Sequence, residues 1–134
     1  MTAGWYRGLA AACLLAATFV TACSSSKPAV CTDAANLKTS VQDLKNMNVK
    51  ENGISAVSDQ LSKIEQQFTT LKADAKGQYS TQISAMSTAL SGLSTSITAA
   101  KSDANTTTIS AVASSAHTVV TAGNNLVTAV SNTC

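Results

Sequence analysis

The sequence is poor in the residue types on which catalytic chemistry usually depends. Its 134 residues include one histidine, and only 12% of them are charged. With one histidine, acid–base catalysis or a catalytic triad would have to rest on scattered carboxylates and lysines. The sequence also lacks a glycine-rich phosphate loop, a His-Glu-x-x-His motif, a Gly-x-Ser-x-Gly motif and an aspartate cluster with calcium-loop spacing. We therefore expect a protein that is not an enzyme and that uses neither a cofactor nor a metal.

Charge is sparse and evenly distributed along the chain. The formal net charge is +2, and there is no basic stripe of the kind that neutralises nucleic-acid phosphates. We therefore expect no nucleic-acid partner. The acidic residues are dispersed at positions typical of solvent-exposed helix faces, which predicts that no two carboxylates form a site together. These residues are Asp33, Asp43, Glu51, Asp59, Glu65, Asp74 and Asp103.

The N-terminus has the pattern of an export signal. Arg7 gives the first residues one positive charge, and residues 9–20 form an apolar run. A run of about a dozen residues is too short to cross a hydrocarbon core of about 30 Å. We therefore predict that residues 1–22 are a signal peptide and are removed.

The end of this signal carries a modification motif. The sequence Val-Thr-Ala-Cys at residues 20–23 resembles the bacterial lipobox, which implies that Cys23 receives a diacylglyceryl group and becomes the first residue. Two or three acyl chains are sufficient for stable membrane anchoring. Residues 23–30 are predicted to be a flexible tether, followed by a helical domain at residues 31–134. The alternative is a plain secreted protein cleaved after Ala22.

The remaining cysteines predict a crosslink. Aromatic residues make up only 4% of the chain, so a small domain of this kind has a thin core and benefits from an added crosslink. Cys13 leaves with the signal and Cys23 carries lipid, so Cys31 and Cys134 remain in a disulfide-permissive compartment. A bond between them would enclose about 100 residues and stabilise the domain by roughly 4 to 5 kcal/mol. A metal or redox site is disfavoured, because neither cysteine has a ligand at suitable spacing and His117 has no second ligand.

From Cys31 onward, apolar residues recur at steps of three and four, as in amphipathic helices. Four such stripes occupy residues 34–47, 54–75, 79–97 and 109–130. Thr32 or Asp33 is the expected N-cap of the first helix, and residues 48–53 and 102–105 supply turns. No segment alternates with a period of two for long enough to form a strand. The fold class is therefore all-α, an up-and-down antiparallel bundle of three to four helices closed by the terminal disulfide.

The sequence leaves two architectures open. In one, four helices of about 16 to 27 residues pack up-down-up-down with short loops. In the other, residues 54–101 form one long central helix of about 70 Å on which the outer helices fold back. Gly77 is tolerated inside a helix at a cost of about 1 kcal/mol. The four-residue steps through Leu71, Ala75, Tyr79 and Ile83 resemble a coiled-coil stutter and slightly favour the continuous helix.

Serine and threonine are frequent on the outward faces, for example at residues 94–96, 106–108 and 114–115. They are weaker helix formers than lysine or glutamate, so the helices depend on packing. Two interpretations are open. The hydroxyl groups are either sites of O-glycosylation on an envelope protein or a neutral surface that tertiary contacts make tolerable.

The mature sequence as a whole suggests a group of relatives. Its features are Cys31, the segment Asp-Leu-Lys-Asn-Met at residues 43–47, the Asn52-Gly53 turn, residues 71–82 and the terminal Cys134. The pattern resembles uncharacterised small exported helical proteins and lipoproteins of actinobacteria. This resemblance implies an extracytoplasmic location and a helical fold, and it supplies no functional residues.

These features together favour a lipid-anchored protein on the extracytoplasmic face of the cell membrane. Its helical domain would act as an interaction or structural module toward an envelope protein or wall polymer. The alternative is a carrier or sensor of an apolar or lipid ligand, which would need a cavity of several hundred Å³ lined by Leu, Ile, Met and Phe. A pocket between helices would favour the carrier, and a solid core with a long exposed groove would favour the interaction module.

Overall fold

A computed structural model describes residues 28–134 and shows four helices. No strand occurs in this part of the chain, and the all-α prediction is confirmed. The predicted signal peptide, Cys23 and the first residues of the tether lie outside the described residues. The helices are α1 (Ala29–Asn46), α2 (Val49–Ala75), α3 (Ser80–Ser102) and α4 (Thr106–Ser131).

The four helices form an antiparallel bundle. Helix α1 packs against α2 and α4, α3 packs against the same two helices, and α2 touches α4 across the diagonal. Hydrogen bonds cross the α1–α2 and α3–α4 interfaces, among others. Gln60 Nε2 donates to the Ser40 carbonyl oxygen at 2.7 Å, and the Ser96 and Ser115 hydroxyls lie 2.7 Å apart. The up-down-up-down architecture is thus the one that the chain adopts.

This arrangement gives the bundle two distinct ends. One end holds the start of α1, the α2–α3 turn and the C-terminus, and we call it the disulfide end. The other holds the α1–α2 linker at residues 47–48 and the α3–α4 turn at residues 103–105, and we call it the distal end. The predicted turn at residues 48–53 is thus shorter than expected, because α2 begins at Val49. Near the distal end, Lys101 Nζ donates to Ser58 Oγ at 3.1 Å, joining the end of α3 to the start of α2.

The interpretation of residues 54–101 as one continuous helix is wrong. Helix α2 ends at Ala75 and α3 begins at Ser80. Between them, Lys76, Gly77 and Tyr79 have φ angles of 50°, 84° and 60°. Glycine adopts such left-handed conformations at little cost, which allows the chain to reverse here. The reversal lets both apolar stripes face one core, so the four-residue steps reflect two antiparallel helices and not a stutter.

The start of α1 also differs from the prediction. The helix begins at Ala29 with Pro28 in the N-cap position, so two residues assigned to the tether are helical. The Cys31 N–H donates to the Pro28 carbonyl oxygen at 2.9 Å. Thr32 and Asp33 therefore lie within the helix and do not cap it. Proline is suited to a helix start because its φ is fixed and it has no N–H to satisfy.

The turns at the distal end are built by asparagine caps. Asn48 Oδ1 accepts from the Lys50 N–H at 3.1 Å, and Gly53, with φ 82°, separates this first turn from the rest of α2. At the start of α4, Asn105 and Thr108 form a capping box with two 3.0 Å bonds. Such caps satisfy N–H groups that have no partner within the helix. The predicted turn at residues 102–105 is confirmed.

The four stripes meet in one continuous core. Helix α4 buries a wider face than its stripe predicted, because it packs extensively against both α1 and α3. Val120, Ala122 and Val127 are buried in addition to the predicted positions. Ser40 is the one polar residue that is buried within residues 28–134. Its side chain is 1% exposed, and its hydroxyl has no hydrogen-bond partner. The sequence pattern gave no indication of this serine.

Many outward hydroxyl groups bond within their own helix. Threonine and serine hydroxyls donate to the carbonyl oxygen four residues earlier at several exposed positions, including Thr39, Thr69, Thr88, Thr95 and Thr121. Such bonds satisfy the hydroxyl locally but slightly weaken a helix. The outer surface therefore adds little stability, in agreement with the expectation that packing holds the helices. O-glycosylation of these residues stays a prediction.

One close contact between helices is made at a glycine. A Cβ atom built on Gly123 would lie 2.7 Å from Val41 Cγ2 and 3.6 Å from Met86 Cε. Val41 is fully buried and its branched side chain has few alternative rotamers. The absence of a side chain at residue 123 thus allows α4 to approach α1. Gly92 in α3 is the opposite case, because it is exposed and has nothing within 4 Å of a built Cβ.

This contrast gives a prediction for two matched substitutions. Gly123→Ala should lower the free energy of unfolding, because overpacking costs about 1–3 kcal/mol and outweighs the helix-propensity gain of about 1 kcal/mol. Gly92→Ala should raise it by about 0.5–1 kcal/mol. Urea unfolding of both variants measures the difference. Adding Val41→Ala to Gly123→Ala should recover part of the unfolding free energy that Gly123→Ala loses. A Gly123→Ala variant as stable as Gly92→Ala would contradict the packing argument.

Candidate functional site

The disulfide end is where the structure brings chemically distinctive side chains together. Cys31, in the first turn of α1, is bonded to the C-terminal Cys134 with an S–S distance of 2.03 Å and a Cα–Cα distance of 6.0 Å. The predicted disulfide is confirmed. It links residues 103 positions apart and joins the first helix of the domain to the end of the last.

A second contact ties the α2–α3 turn to the same end. The Tyr79 hydroxyl hydrogen-bonds with the Thr133 hydroxyl, and Thr133 Oγ1 donates to the Val130 carbonyl oxygen at 2.8 Å. Tyr79 is partly buried and packs against the core. All four helices are therefore connected at this end, α1 to α4 by the disulfide and the α2–α3 turn to α4 through Tyr79.

Two of the dispersed acidic residues interact in the folded chain, and the absence of a catalytic carboxylate pair stays a prediction. Asp33 in α1 and Asp74 in α2 lie within hydrogen-bond reach of each other at the disulfide end. Asp33 Oδ2 is buried and has no hydrogen-bond partner. Burial raises the pKa of Asp33, and the hydrogen bond and negative charge of Asp74 raise it further. Protonation would supply the donor that two ionised carboxylates lack.

This pair is a feature of tertiary structure with a weak sequence signal. Asp33 follows Cys31 by two residues, and Asp74 is next to the last residue of α2. An up-down bundle places the start of its first helix beside the end of its second, so the two positions share one end. Both architectures fold α1 back along the segment that ends at Ala75, so this signal did not depend on the reversal at residues 76–79.

The arrangement does not extend to a metal site. Among residues 28–134, no group of three or more His, Cys, Asp or Glu side chains could hold a metal ion. His117 is exposed on α4 and lies near the distal end, away from the two carboxylates. The Asp33–Asp74 pair is therefore an interaction between two helices and not part of a set of metal ligands among the described residues.

The bundle carries an open groove between α3 and α4, which we call the α3–α4 groove. Its volume is about 870 Å³, and its lining contains no charged side chain. The residues are small, and many of them carry hydroxyl groups. They are Ser80, Thr81, Ser84, Ala85, Thr88, Ala89, Gly92, Ser115 and Thr118.

A second groove lies at the distal end between the end of α1, the start of α2 and α4, and we call it the distal groove. Its volume is about 440 Å³. Unlike the α3–α4 groove, it combines apolar side chains with basic ones. It is lined by Leu44, Lys45, Asn46, Met47, Asn48, Val49, Lys50, Ile109, Ser110, Ala113, Ala116, His117 and Val120.

Comparisons with known proteins place no further constraint on the site. No family model matches the chain, and neither the curated proteins nor the solved structures contain a match to it. Among the helices of residues 28–134, none has both the length and the apolar character needed to cross a membrane. The structure thus defines a disulfide-closed four-helix bundle, and the chemistry of its surfaces is the basis for assigning a function.

The Asp33–Asp74 pair should make stability depend on pH. A carboxyl group whose pKa is raised by folding binds its proton more tightly in the folded state. The free energy of unfolding should therefore fall as pH rises from the ordinary value of 3.8 through the raised pKa. Asp33→Asn should stabilise the protein at pH 7 relative to pH 3, because it removes the repulsion and supplies a donor.

Chemical unfolding at pH 3, 5 and 7 tests this prediction. Asp43→Asn is the matched control, since it removes one exposed charge from the same helix. An Asp33→Asn variant whose stability change is the same at every pH would show that the carboxyl pair does not act as described.

Removing the disulfide should cost a large part of the stability. In the absence of Cys31 and Cys134, the unfolded chain regains the entropy of a loop of about 100 residues, equivalent to roughly 4 to 5 kcal/mol. The Cys31→Ser, Cys134→Ser double variant should unfold at a much lower urea concentration. Wild-type protein unfolded with a reductant present should show the same loss. Equal midpoints with and without the crosslink would contradict the prediction.

Proposed function

We propose that this protein is a lipoprotein of the cell envelope, anchored through acyl chains on Cys23 to the extracytoplasmic face of the membrane. Its helical domain is a non-enzymatic interaction or structural module. The observation that carries the proposal is the Cys31–Cys134 disulfide. Stable disulfides belong to exported proteins and are rare in the bacterial cytosol. Export is also what the N-terminal sequence predicts.

The position of Pro28 supports the anchoring part of the proposal. Pro28 lies at the disulfide end, five positions after Cys23 along the chain. Five residues span at most about 17 Å even when fully extended. Acylation of Cys23 would therefore hold the disulfide end next to the bilayer. The 26-residue helix α4 extends about 39 Å from there toward the distal end.

The surface of the bundle supports the interaction part. The core is filled by side chains from all four helices, and the α3–α4 groove is a long open depression on the outside. Its small residues would let the backbone of a partner helix, or a neutral wall polymer, approach closely. This combination of a solid core and an exposed groove is the one expected of an interaction module. The partner is proposed to be an envelope protein or a wall polymer.

Intact-mass analysis of the protein extracted from membranes tests the proposal. The expected species starts at Cys23, carries two or three acyl chains and contains no free thiol at Cys31 or Cys134. Cys23→Ser should abolish the lipid mass and release the protein from the membrane fraction. Cys13→Ser is the matched control, because Cys13 is predicted to leave with the signal peptide. An unprocessed, unacylated and reduced protein in the cytosol would contradict the proposal.

A further inference from the structure

The distal groove has a floor that is apolar and incompletely covered. Leu44, Val49 and Val120 are buried beneath it, whereas Met47 and Ile109 are only partly buried. The groove exists because the chain leaves α1 in an extended conformation at Met47 and starts α2 with a single turn that ends at Gly53. The apolar side chains of this crossing are thus left at the surface, where an apolar ligand would remove them from water.

Small side chains keep the groove open on the α4 side. Ala113 is exposed and Ala116 is nearly buried, so no large side chain of α4 fills the space between them and α1. The lining on α4 runs from Ile109 to Val120, a length of about 17 Å. A groove of this length and a volume of about 440 Å³ is in the range of small-molecule sites.

The charges around the groove are of one kind. Residues 28–134 contain seven lysines and seven acidic residues, so the domain as a whole has no excess of basic side chains. The groove is nevertheless lined by Lys45, Lys50 and His117 and by no carboxylate. Asp43 and Glu51 are on the same elements but are not part of the lining. The excess of basic side chains is therefore a property of the distal groove and not of the domain as a whole.

We propose that the distal groove binds an amphiphile that has one apolar chain and one anionic head group, of the fatty-acid class. The chain lies against Met47, Ile109 and Ala113, and the head group is held by Lys45 and Lys50. The short groove and its limited set of cations fit one small anion better than an acidic polymer. This site is independent of acylation at Cys23 and goes beyond the interaction surface proposed between α3 and α4.

Titration of the folded, disulfide-bonded and delipidated protein with dodecanoate below its micelle concentration tests the proposal. Amide NMR shifts should change at residues 44–50 and 109–120, with one saturable site. Dodecyltrimethylammonium, which has the same chain and the opposite charge, should bind at least about tenfold more weakly, because like charges repel at the lysines. Equal binding of both probes, or shifts confined to the α3–α4 groove, would overturn the proposal.

Charge variants separate head-group recognition from general adhesion. The Lys45→Glu, Lys50→Glu variant should weaken dodecanoate binding at least tenfold. The control variant Lys38→Glu, Lys63→Glu changes exposed lysines of the same two helices that do not line the groove, and it should bind within twofold of wild type. Equal losses in both variants would show that only net charge matters and would overturn the assignment.

A steric pair keeps the test valid if charge reversal disturbs folding. Ala113→Trp should fill the groove and abolish dodecanoate binding. Ala111→Trp places the same side chain at an exposed position of α4 outside the lining and should leave binding unchanged. Retained binding in Ala113→Trp, or binding of an acidic apolar peptide without binding of dodecanoate, would overturn the proposal.

Discussion

The reversal of the chain at residues 76–79 is the constraint on which the rest of the structure depends. Because Lys76, Gly77 and Tyr79 have positive φ, α3 runs back along α2 and both helices bury their stripes in one core. The same reversal brings the α2–α3 turn beside the C-terminal residues, where the Tyr79 hydroxyl bonds with the Thr133 hydroxyl. The contact between Asp33 and Asp74 depends instead on the linker at residues 47–48, which folds α1 back along α2.

The stability of the bundle comes from close packing and covalent closure and not from strong individual helices. Its core consists largely of Leu, Val, Ile and Ala, and the outer faces carry hydroxyl groups that bond back to their own helices. Small residues allow the helices to approach, as where Gly123 meets Val41. The disulfide adds to the stability by lowering the conformational entropy of the unfolded chain. A thin core of this kind is sufficient for a stable fold when close packing and the disulfide are both present.

The two ends of the bundle differ in chemistry. The disulfide end holds the crosslink, the carboxyl pair and Pro28, from which the chain leads back to Cys23. The distal end holds the α1–α2 crossing, with apolar side chains at the surface and basic side chains around them. In the proposed orientation, the disulfide end lies next to the bilayer and the distal end extends away from it. The uncharged α3–α4 groove runs along the side of the bundle, between its two ends.

The sequence by itself predicted the four helical stripes, the turn at residues 102–105 and the pairing of Cys31 with Cys134, because periodicity, turn-forming residues and cysteine location are local signals. Only the tertiary structure decided that residues 54–101 form two helices, since the apolar spacing through Ala75 and Tyr79 fits either architecture. It also decided the burial of Ser40 and Val127 and the approach of Asp33 to Asp74. Periodicity indicates which face of a helix is buried, but the partner that covers that face is set by how the helices pack.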